Sequence, residues 1–575
     1  MVADGTAARP PAQDGTDGSA AAGAPRVRPG TPLWQPSAGR VQRAAVTTYR
    51  DWLTEELGLH LADEAALWQW SVTESGQFWQ SIWEFCAVEG DRGAGPALAD
   101  ARMPGADWFP GARVNYAENA LSRRGPAPAV IGVREDGATA VVSWDELRRQ
   151  VARAAAGLRS LGVTEGDRVC AVLPNTVYAV VAMLATASVG ASWSSCSPEL
   201  DAQALSARLA PLSPKVLLGV DGFTRRGRSY DALGALAGLA ADLPRLAATV
   251  IVPYLSSDAF ARARAAGLPG LLTWDELMAA EAADGEFTRV AFGAPLWILH
   301  SPDAAGAGAP GPVVHGHGGI LLEHLKALAL HLDLGPDDRF CWYTPTGEMT
   351  WHLLVSGLLV GATVVLYDGA TGYPTLGTQF GLAEALEVTC LGTSADYLAA
   401  CRDAGLVPRA DADLSLLRTL GSLGSPLAAD TCAWVYEAVS PDIFLAPMSG
   451  GADVCTAVVA GLPTQPVRAG EIGSRALGCA VSVYDAEGKE LVDEVGDLVI
   501  TAPLPSMPLF VWGDPEGSRL REACFSAHPG VWRAGGRLQV LGDGAVILAD
   551  PGGARVPWAH DKAGSPLPTS EDPAS

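Results

Sequence analysis

Arg168–Gly190 reads RVCAVLPNTVYAVVAMLATASVG, and its two halves decide the fold. Arg168–Leu173 is an apolar run of strand length, and Ala179–Gly190 continues as a longer apolar helix. Lys215–Val220 (KVLLGV) returns to strand. Working outward, Ala129–Val133, Thr249–Val252, Ala294–Leu299 and Ala362–Leu366 repeat the strand pattern, whereas Ser143–Gly162 and Ile320–His331 repeat the helical one. Strand and helix in alternation predict an α/β fold with a parallel sheet covered on both faces.

This rhythm divides the chain. A first α/β subdomain is expected over 116–370 and a second over 371–480. From 481 to 549 the text turns β-rich, with Val481–Tyr484, Asp497–Thr501, Arg537–Leu541 and Ala545–Ala549 separated by Gly, Pro and Asp turns. Before them, 31–115 is helical and rich in tryptophan. Trp52, Leu57, Leu67, Trp68, Trp70, Phe78, Trp79, Ile82, Trp83 and Phe85 recur at three- to four-residue steps, the pattern of a helical cap packed on a larger core. The ends, 1–30 and 550–575, are small, Pro-containing and aperiodic, and are expected to be disordered.

Composition removes several function classes. With 40 basic and 64 acidic residues the net charge is −24, a field that repels nucleic acid and anionic lipid. The longest apolar stretches, Val177–Ala191 and Leu353–Tyr367, are interrupted and too short for a clean membrane span. Met1–Arg28 has no apolar run and is not expected to act as a secretory leader, and the 10 cysteines lack C-x-x-C pairs, which fits reduced thiols in a cytoplasm.

Eight collinear stretches are similar to acetoacetyl-CoA synthetases, a branch of the adenylate-forming acyl-CoA synthetases. They are Pro104–Leu121 (PGADWFPGARVNYAENAL), Ser192–Pro198, Pro214–Gly222, His315–Lys326 (HGHGGILLEHLK), Leu353–Gly369, Ser449–Thr456 (SGGADVCT), Pro466–Gly478 and Asp497–Pro508. The resemblance implies a large N-terminal domain of two α/β subdomains plus a small β-rich one. It also implies use of ATP with Mg²⁺ to make an acyl-adenylate, transfer of the acyl group to CoA, and a mobile C-terminal domain.

Carried onto this sequence, the resemblance places the phosphate loop (S-S-G-T-T-G-x-P-K in the family) at Ser301–Pro312. Here Ser301 keeps a hydroxyl, Gly311 stands where the lysine is expected, Asp303 adds a negative charge, and three prolines remove N–H donors. Gly306 and Gly308 can still bend the backbone toward an anion, although the run also reads as a plain surface loop. Nucleotide-binding positions implied elsewhere are Gly424, Ser425 and Pro426 in the adenine-side loop, and Gly450 and Gly451. Asp453 is the implied Mg²⁺ ligand, with Ala452 where the family has Thr; a turn or helix-cap acid is the alternative reading of Asp453. The acyl pocket is implied at Trp342, Glu348 and His352, the latter two standing with Thr350 where the family has Trp, Asn and Met. His315 and His317 resemble a metal pair, but there is no third ligand nearby and no G-x-S-x-G elbow for hydrolase chemistry.

On the ribose side, VWRAG (Val531–Gly535) is followed by no carboxylate in register, Asp543 lying further on, and the hinge motif Y-G-R-S-D reads LADPG at Leu548–Gly552. The mobile C-terminal domain with its lysine is expected to be missing. Each lost polar contact is worth about 2–3 kcal/mol in a transition state. The expectation is therefore a homologue that has lost ATP-dependent acyl-CoA ligation and binds a small acyl acid, a nucleotide or a protein partner without catalysis. The alternative is an active acetoacetate–CoA ligase, or a related adenylate-forming enzyme, with an altered ATP site completed by a partner protein.

Overall fold

Short runs of Val, Ile, Leu and Cys, buried on both faces, form the inner strands of two eight-stranded sheets. The computed structural model describes residues 27–281, 285–301 and 311–549. The first sheet is ordered Leu271–Thr273, Ala248–Val252, Val216–Val220, Arg168–Val172, Ser192–Cys196, Pro295–Ser301, Gly311–Gly316 and Phe510–Val511. Its first six strands run parallel and its last two pair antiparallel. The second sheet is ordered Thr456–Ala460, Phe444–Gly451, Thr419–Leu423, Cys390–Thr393, Arg339–Trp342, Thr363–Asp368, Pro128–Arg134 and Thr139–Ser143, parallel except at its two edges. Strand pairing thus crosses residue 370: segments 128–143 and 339–368 join 390–460 in one sheet, and 168–316 supply most of the other.

The connecting helices show why both sheet faces are dry. Val177–Val189 buries 11 side chains in succession, so it lies between layers rather than on a surface. Gly190, at φ +81, ends that helix in the left-handed conformation open to glycine. Trp144–Ser160 is amphipathic, with Trp144, Leu147, Val151 and Leu158 inward and a Ser143 cap accepting from Glu146 N–H at 3.2 Å.

The tryptophan-rich stretch forms helices Ala45–Leu57, Glu64–Thr73 and Ser75–Phe85. Phe78 meets Trp70 and Trp79 edge-on at centroid distances of 5.9 and 5.0 Å, and Trp79 faces Lys326 of the helix His317–Lys326. Trp68 donates to the Cys479 carbonyl at 3.2 Å and carries the Arg475 guanidinium 3.3 Å above its ring. Of the first thirty residues, Val27–Gly30 are described; Val27 N–H donates to Asp430 and Gly30 N–H to the Ala469 carbonyl, at 2.7 and 2.9 Å.

The β-rich segment is a four-stranded antiparallel sheet of Val481–Tyr484, Val495–Ile500, Trp532–Val540 and Val546–Leu548. Trp532, Ala534, Leu538 and Val540 point inward, while Arg533 and Arg537 alternate outward toward Asp497, at 3.2 and 3.9 Å. No helix among the described residues is long and apolar enough to cross a membrane, and all 10 cysteines are unpaired.

Candidate active site between the two sheets

Antiparallel pairing sets Ser301, the last residue of Pro295–Ser301, opposite Gly311, the first of Gly311–Gly316. The positions assigned from the sequence to a surviving hydroxyl and to a missing lysine therefore face each other at the root of one hairpin. Gly306 and the other residues 302–310 lie outside the described residues. Ser301 is 1% exposed, and its hydroxyl bonds to the carboxylate of Asp453, which comes from the second sheet just after Phe444–Gly451. The two sheets meet at this contact.

Burial pushes the Asp453 carboxyl up to about 6, against the pull of the Ser301 hydroxyl, and its Oδ1 has no protein partner. A buried acceptor with unspent capacity costs about 1–3 kcal/mol unless something binds it. Magnesium is suited by such an atom, since it takes one or two carboxylates and completes its shell with water and substrate phosphate oxygens. Asp453 fits a nucleotide-borne Mg²⁺ in this way, and no cluster of three or more His, Cys, Asp or Glu among the described residues offers an all-protein alternative.

Close approach of backbone explains the glycines nearby. A Cβ at Gly450 would lie 1.9 Å from the Thr456 carbonyl oxygen, so only glycine lets Phe444–Gly451 and Thr456–Ala460 pair there, with Gly451 opposite Thr456. Gly424, at φ +112, turns the chain out of Thr419–Leu423 and leaves Ser425 and Pro426 half-buried at the strand end. Trp342 occupies a different setting. Its ring lies across Gly392 and Gly421 of the neighbouring strands, where added Cβ atoms would come within 1.9 and 2.9 Å, and it is 2% exposed.

Histidines pack the interior wall. His315 sets its two ring nitrogens 3.0 and 2.9 Å from the carbonyls of Ser506 and Ala452, and His317 Nδ1 accepts from Tyr116 N–H at 3.2 Å. Both rings are held by backbone, and burial depresses their pKa to about 4 and about 3. His324 reaches the Cys455 carbonyl at 2.8 Å and the Ser356 hydroxyl at 2.7 Å. On the same helix Lys326 and Glu323 form a fully buried ion pair at 2.5 Å, and Thr456 donates to Glu323 at 2.7 Å.

Glu348 precedes the helix Met349–Val355, and His352 lies one turn into it. The Glu348 carboxylate adds to burial in raising the Cys196 thiol at the end of Ser192–Cys196, and its carbonyl oxygen lies 3.0 Å from His352 Nδ1. Thr350 shares a 2.6 Å hydroxyl contact with Thr344.

Beside this helix opens a small cleft, built from residues that follow the carboxyl ends of parallel strands in both sheets. Asn175, Glu199, Arg225, Tyr343, Thr346 and Asp368 line it. A crevice at strand carboxyl ends is where open parallel sheets bind ligands. Arg225 pairs with Glu199; Tyr254 donates to Asp368, whose carboxyl burial raises to about 6. Burial opposes the Arg225 charge, yet Tyr343, Glu199 and Asp368 hold its pKa above the ordinary value. Sequence reasoning missed these residues, although most sit within a few positions of strands it did find.

The AMP-binding enzyme family matches residues 117–286 and 306–507, and the acetyl-coenzyme A synthetase N-terminus family matches 64–120. An acetoacetyl-coenzyme A synthetase of Rhizobium meliloti (strain 1021) is 40% identical over 536 residues, covering 92% of this chain and 82% of its own. One from Gallus gallus is 35% identical over 521 residues, covering 89% and 77%. The solved acetoacetyl-CoA synthetase from Streptomyces lividans superposes with a TM-score of 0.85 at 44% identity, over 90% of this chain and 80% of its own.

Two expectations are corrected by these findings. Relatives named as synthetases, at 35–44% identity over about nine-tenths of the chain, overturn the reading of a homologue that has lost ligation. Counting lost side chains gives no weight to what is retained: Ser301 and Asp453 are both present and bonded to each other where the two sheets meet. The missing C-terminal domain also finds no support, since the matches span 82% and 80% of the Rhizobium and Streptomyces chains. The chain belongs to the acetoacetyl-CoA synthetase branch of the AMP-binding, adenylate-forming enzymes.

Proposed function

We propose that this protein is an ATP-dependent acid–thiol ligase for a short acyl acid of the acetoacetate kind, working with an altered phosphate loop. The observation that carries the reading is the buried Asp453 carboxylate, bonded to Ser301 and left with one unpartnered oxygen where the two sheets meet. In such a ligase the acid's carboxylate oxygen attacks the α-phosphorus of ATP, pyrophosphate leaves, and the thiol sulfur of CoA then displaces AMP from the acyl carbon. Magnesium, when bound with the nucleotide, neutralises charge on the phosphate oxygens.

The chain's own residues orient these partners. Asp453 would anchor the metal-bound nucleotide, and Ser301 holds that carboxylate in place. The Gly424–Pro426 turn presents backbone at the adenine side. Arg225, at the cleft, offers a positive charge to an anionic substrate. Gly311 supplies no ammonium group, so phosphate stabilisation in this reading rests on backbone N–H groups and the metal.

Pyrophosphate release with ATP, Mg²⁺ and acetoacetate, measured with and without CoA, tests the proposal. Acid-dependent release that CoA accelerates is expected. Absence of release with acetoacetate and with other C3–C5 acids would overturn it.

A further inference from the structure

Arg225 stands on a ribbon that cannot hold itself. Among the described residues, Gly222–Arg225 and Arg228–Asp231 pair only with each other, and two isolated antiparallel strands are marginally stable in water. Within the ribbon Phe223 stacks on Tyr230 at a centroid distance of 5.1 Å. Arg226 and Gly227, at φ +51 and +71, make the two-residue turn at its tip. The base is fixed by the first-sheet half of the molecule. Asp221, fully buried, accepts from the N–H groups of Tyr254, Leu255 and Ser256 at 2.8, 2.9 and 3.0 Å, and Arg262 pairs with both Asp221 and Asp231.

The tip is fixed from the other half. Glu135 lies in the turn between Pro128–Arg134 and Thr139–Ser143 of the second sheet. One of its carboxylate oxygens accepts from Gly227 N–H at 2.6 Å, and the other accepts from Ala370 N–H at 2.8 Å, just past the strand Thr363–Asp368. Its own N–H donates to the Asp368 carbonyl at 2.7 Å, so its backbone is tied to the same strand end. A carboxylate held by an N–H on each oxygen has one orientation. Tyr373, from the loop that carries Ala370, closes over the tip: a Cβ added at Gly227 would lie 2.5 Å from its hydroxyl. Two residues before Gly227, Arg225 turns to the cleft, where Glu199, Tyr343 and Asp368 surround its charge.

From this arrangement, and resting on the ligase reading above, we infer that Glu135 is a positioning residue: it clamps the ribbon tip to the second sheet and so keeps Arg225 in the cleft for an anionic substrate. Charge alone argues for the opposite sign. Removing an acid near the cleft makes the local potential more positive and would favour an anion. Weaker binding in a Glu135 variant therefore reports lost placement of Arg225, not lost charge.

The test is calorimetric binding of Mg²⁺–ATP, acetoacetate and CoA, each alone, to the full chain, with KM and kcat measured alongside. Glu135→Ala is expected to weaken whichever of the three Arg225→Gln weakens, by about fivefold or more. KM should rise by the same factor with kcat within about twofold of wild type. Added to Arg225→Gln, the substitution should have no further effect, because both act on one contact. Glu135→Gln keeps an acceptor for one of the two N–H groups and should fall between. Hydrogen exchange gives a readout apart from activity: segments 222–231 and 368–373 should exchange faster in Glu135→Ala, while the parallel strands stay unchanged. If Glu135→Ala misfolds, Gly227→Ala pushes the exposed tip off Tyr373 and should weaken the same substrate. Unchanged or tighter binding of all three, weakening of a substrate that Arg225→Gln leaves alone, fold-changes that multiply in the double variant, or faster exchange across both sheets would each overturn the assignment. Matching losses of binding without pyrophosphate release from any acid would keep it and sink the ligase reading instead.

Discussion

Two polar regions lie within a few residues of each other and behave differently. The interior knot around His317–Lys326 contains His315, His317, Glu323, His324 and Lys326, all fully buried; backbone carbonyls and the Glu323–Lys326 ion pair meet part of their polar capacity, while His317 Nε2 and Glu323 Oε2 have no partner. The rim, from Asp453 and His352 out to the cleft at Arg225, holds polar atoms with capacity to spare or access to solvent. Residue type does not separate them: both have histidines, acids and a cation. Access to solvent does: the knot is sealed, with His317 Nε2 and Glu323 Oε2 left unpartnered inside it, whereas the cleft at Arg225 is open. The knot is a joint between the first sheet, the tryptophan cap and segment 452–479.

Acid should break the joint first. Burial depresses the pKa of His315, His317, His324, His331 and His352 to about 3–4. A histidine whose folded pKa is depressed binds fewer protons when folded, so stability is complete above the unfolded value of about 6.5 and is lost as pH falls below it. Each contributes roughly 1.4 kcal/mol per pH unit across that window. Asp368 and Asp453, raised to about 6, run the other way because they favour the folded state at low pH, but they are outnumbered. The melting temperature should therefore fall steeply between pH 6.5 and 5, by scanning fluorimetry. A flat profile would mean these rings are not held neutral.

Lys326→Met sharpens the same point without changing pH. It leaves Glu323 buried beside Thr456 with no cation, a change that typically costs about 3–5 kcal/mol. The double variant Glu323→Gln/Lys326→Met should recover a large part of that loss in urea unfolding. If the single variant is as stable as wild type, the pair is not dry.

The rim should answer with activity rather than stability. Asp453→Asn keeps the shape and removes the charge. Pyrophosphate release should fall about 100-fold or more, while the melting temperature holds or rises because a buried, half-partnered carboxylate has gone. Loss of activity and of stability together would place Asp453 with the joint.

The sequence made much of this frame legible. Strands foreseen at 168–173, 215–220, 249–252 and 362–366 appear within a residue or two, because inner strands of a parallel sheet are continuous apolar runs with little else to be. Sheet membership was harder. Nothing local says that Pro128–Arg134 pairs with Thr363–Asp368 across more than two hundred residues, since register is a property of the assembled layers. At the site, motif comparison singled out Ser301 and Asp453, yet it read the altered loop, the ribose-side segment and the hinge together as a loss of function because it counted side chains. The contact between Ser301 and Asp453 joins two sheets and has no trace in spacing. Trp342 was assigned to a pocket from its motif, whereas the flat seat on Gly392 and Gly421 depends on which strands are neighbours.

The smallest effect is expected at the outer edge of the rim. Arg225 and Glu199 are partly exposed, at 19% and 31% of their side chains, so their ion pair is screened and worth at most about 1 kcal/mol to stability. Arg225→Gln should leave urea unfolding nearly unchanged. It removes the cation that faces the cleft, however, and Glu199 and Asp368 would then dominate the local field. An anionic substrate entering there would bind less well, raising its KM with little change in kcat, since a uniform binding contact has been lost rather than a transition-state one. Separate saturation curves for ATP, the acid and CoA would show which substrate uses this cleft. If none of the three responds, Arg225 belongs with the structural ion pairs and the cleft is not the route of entry.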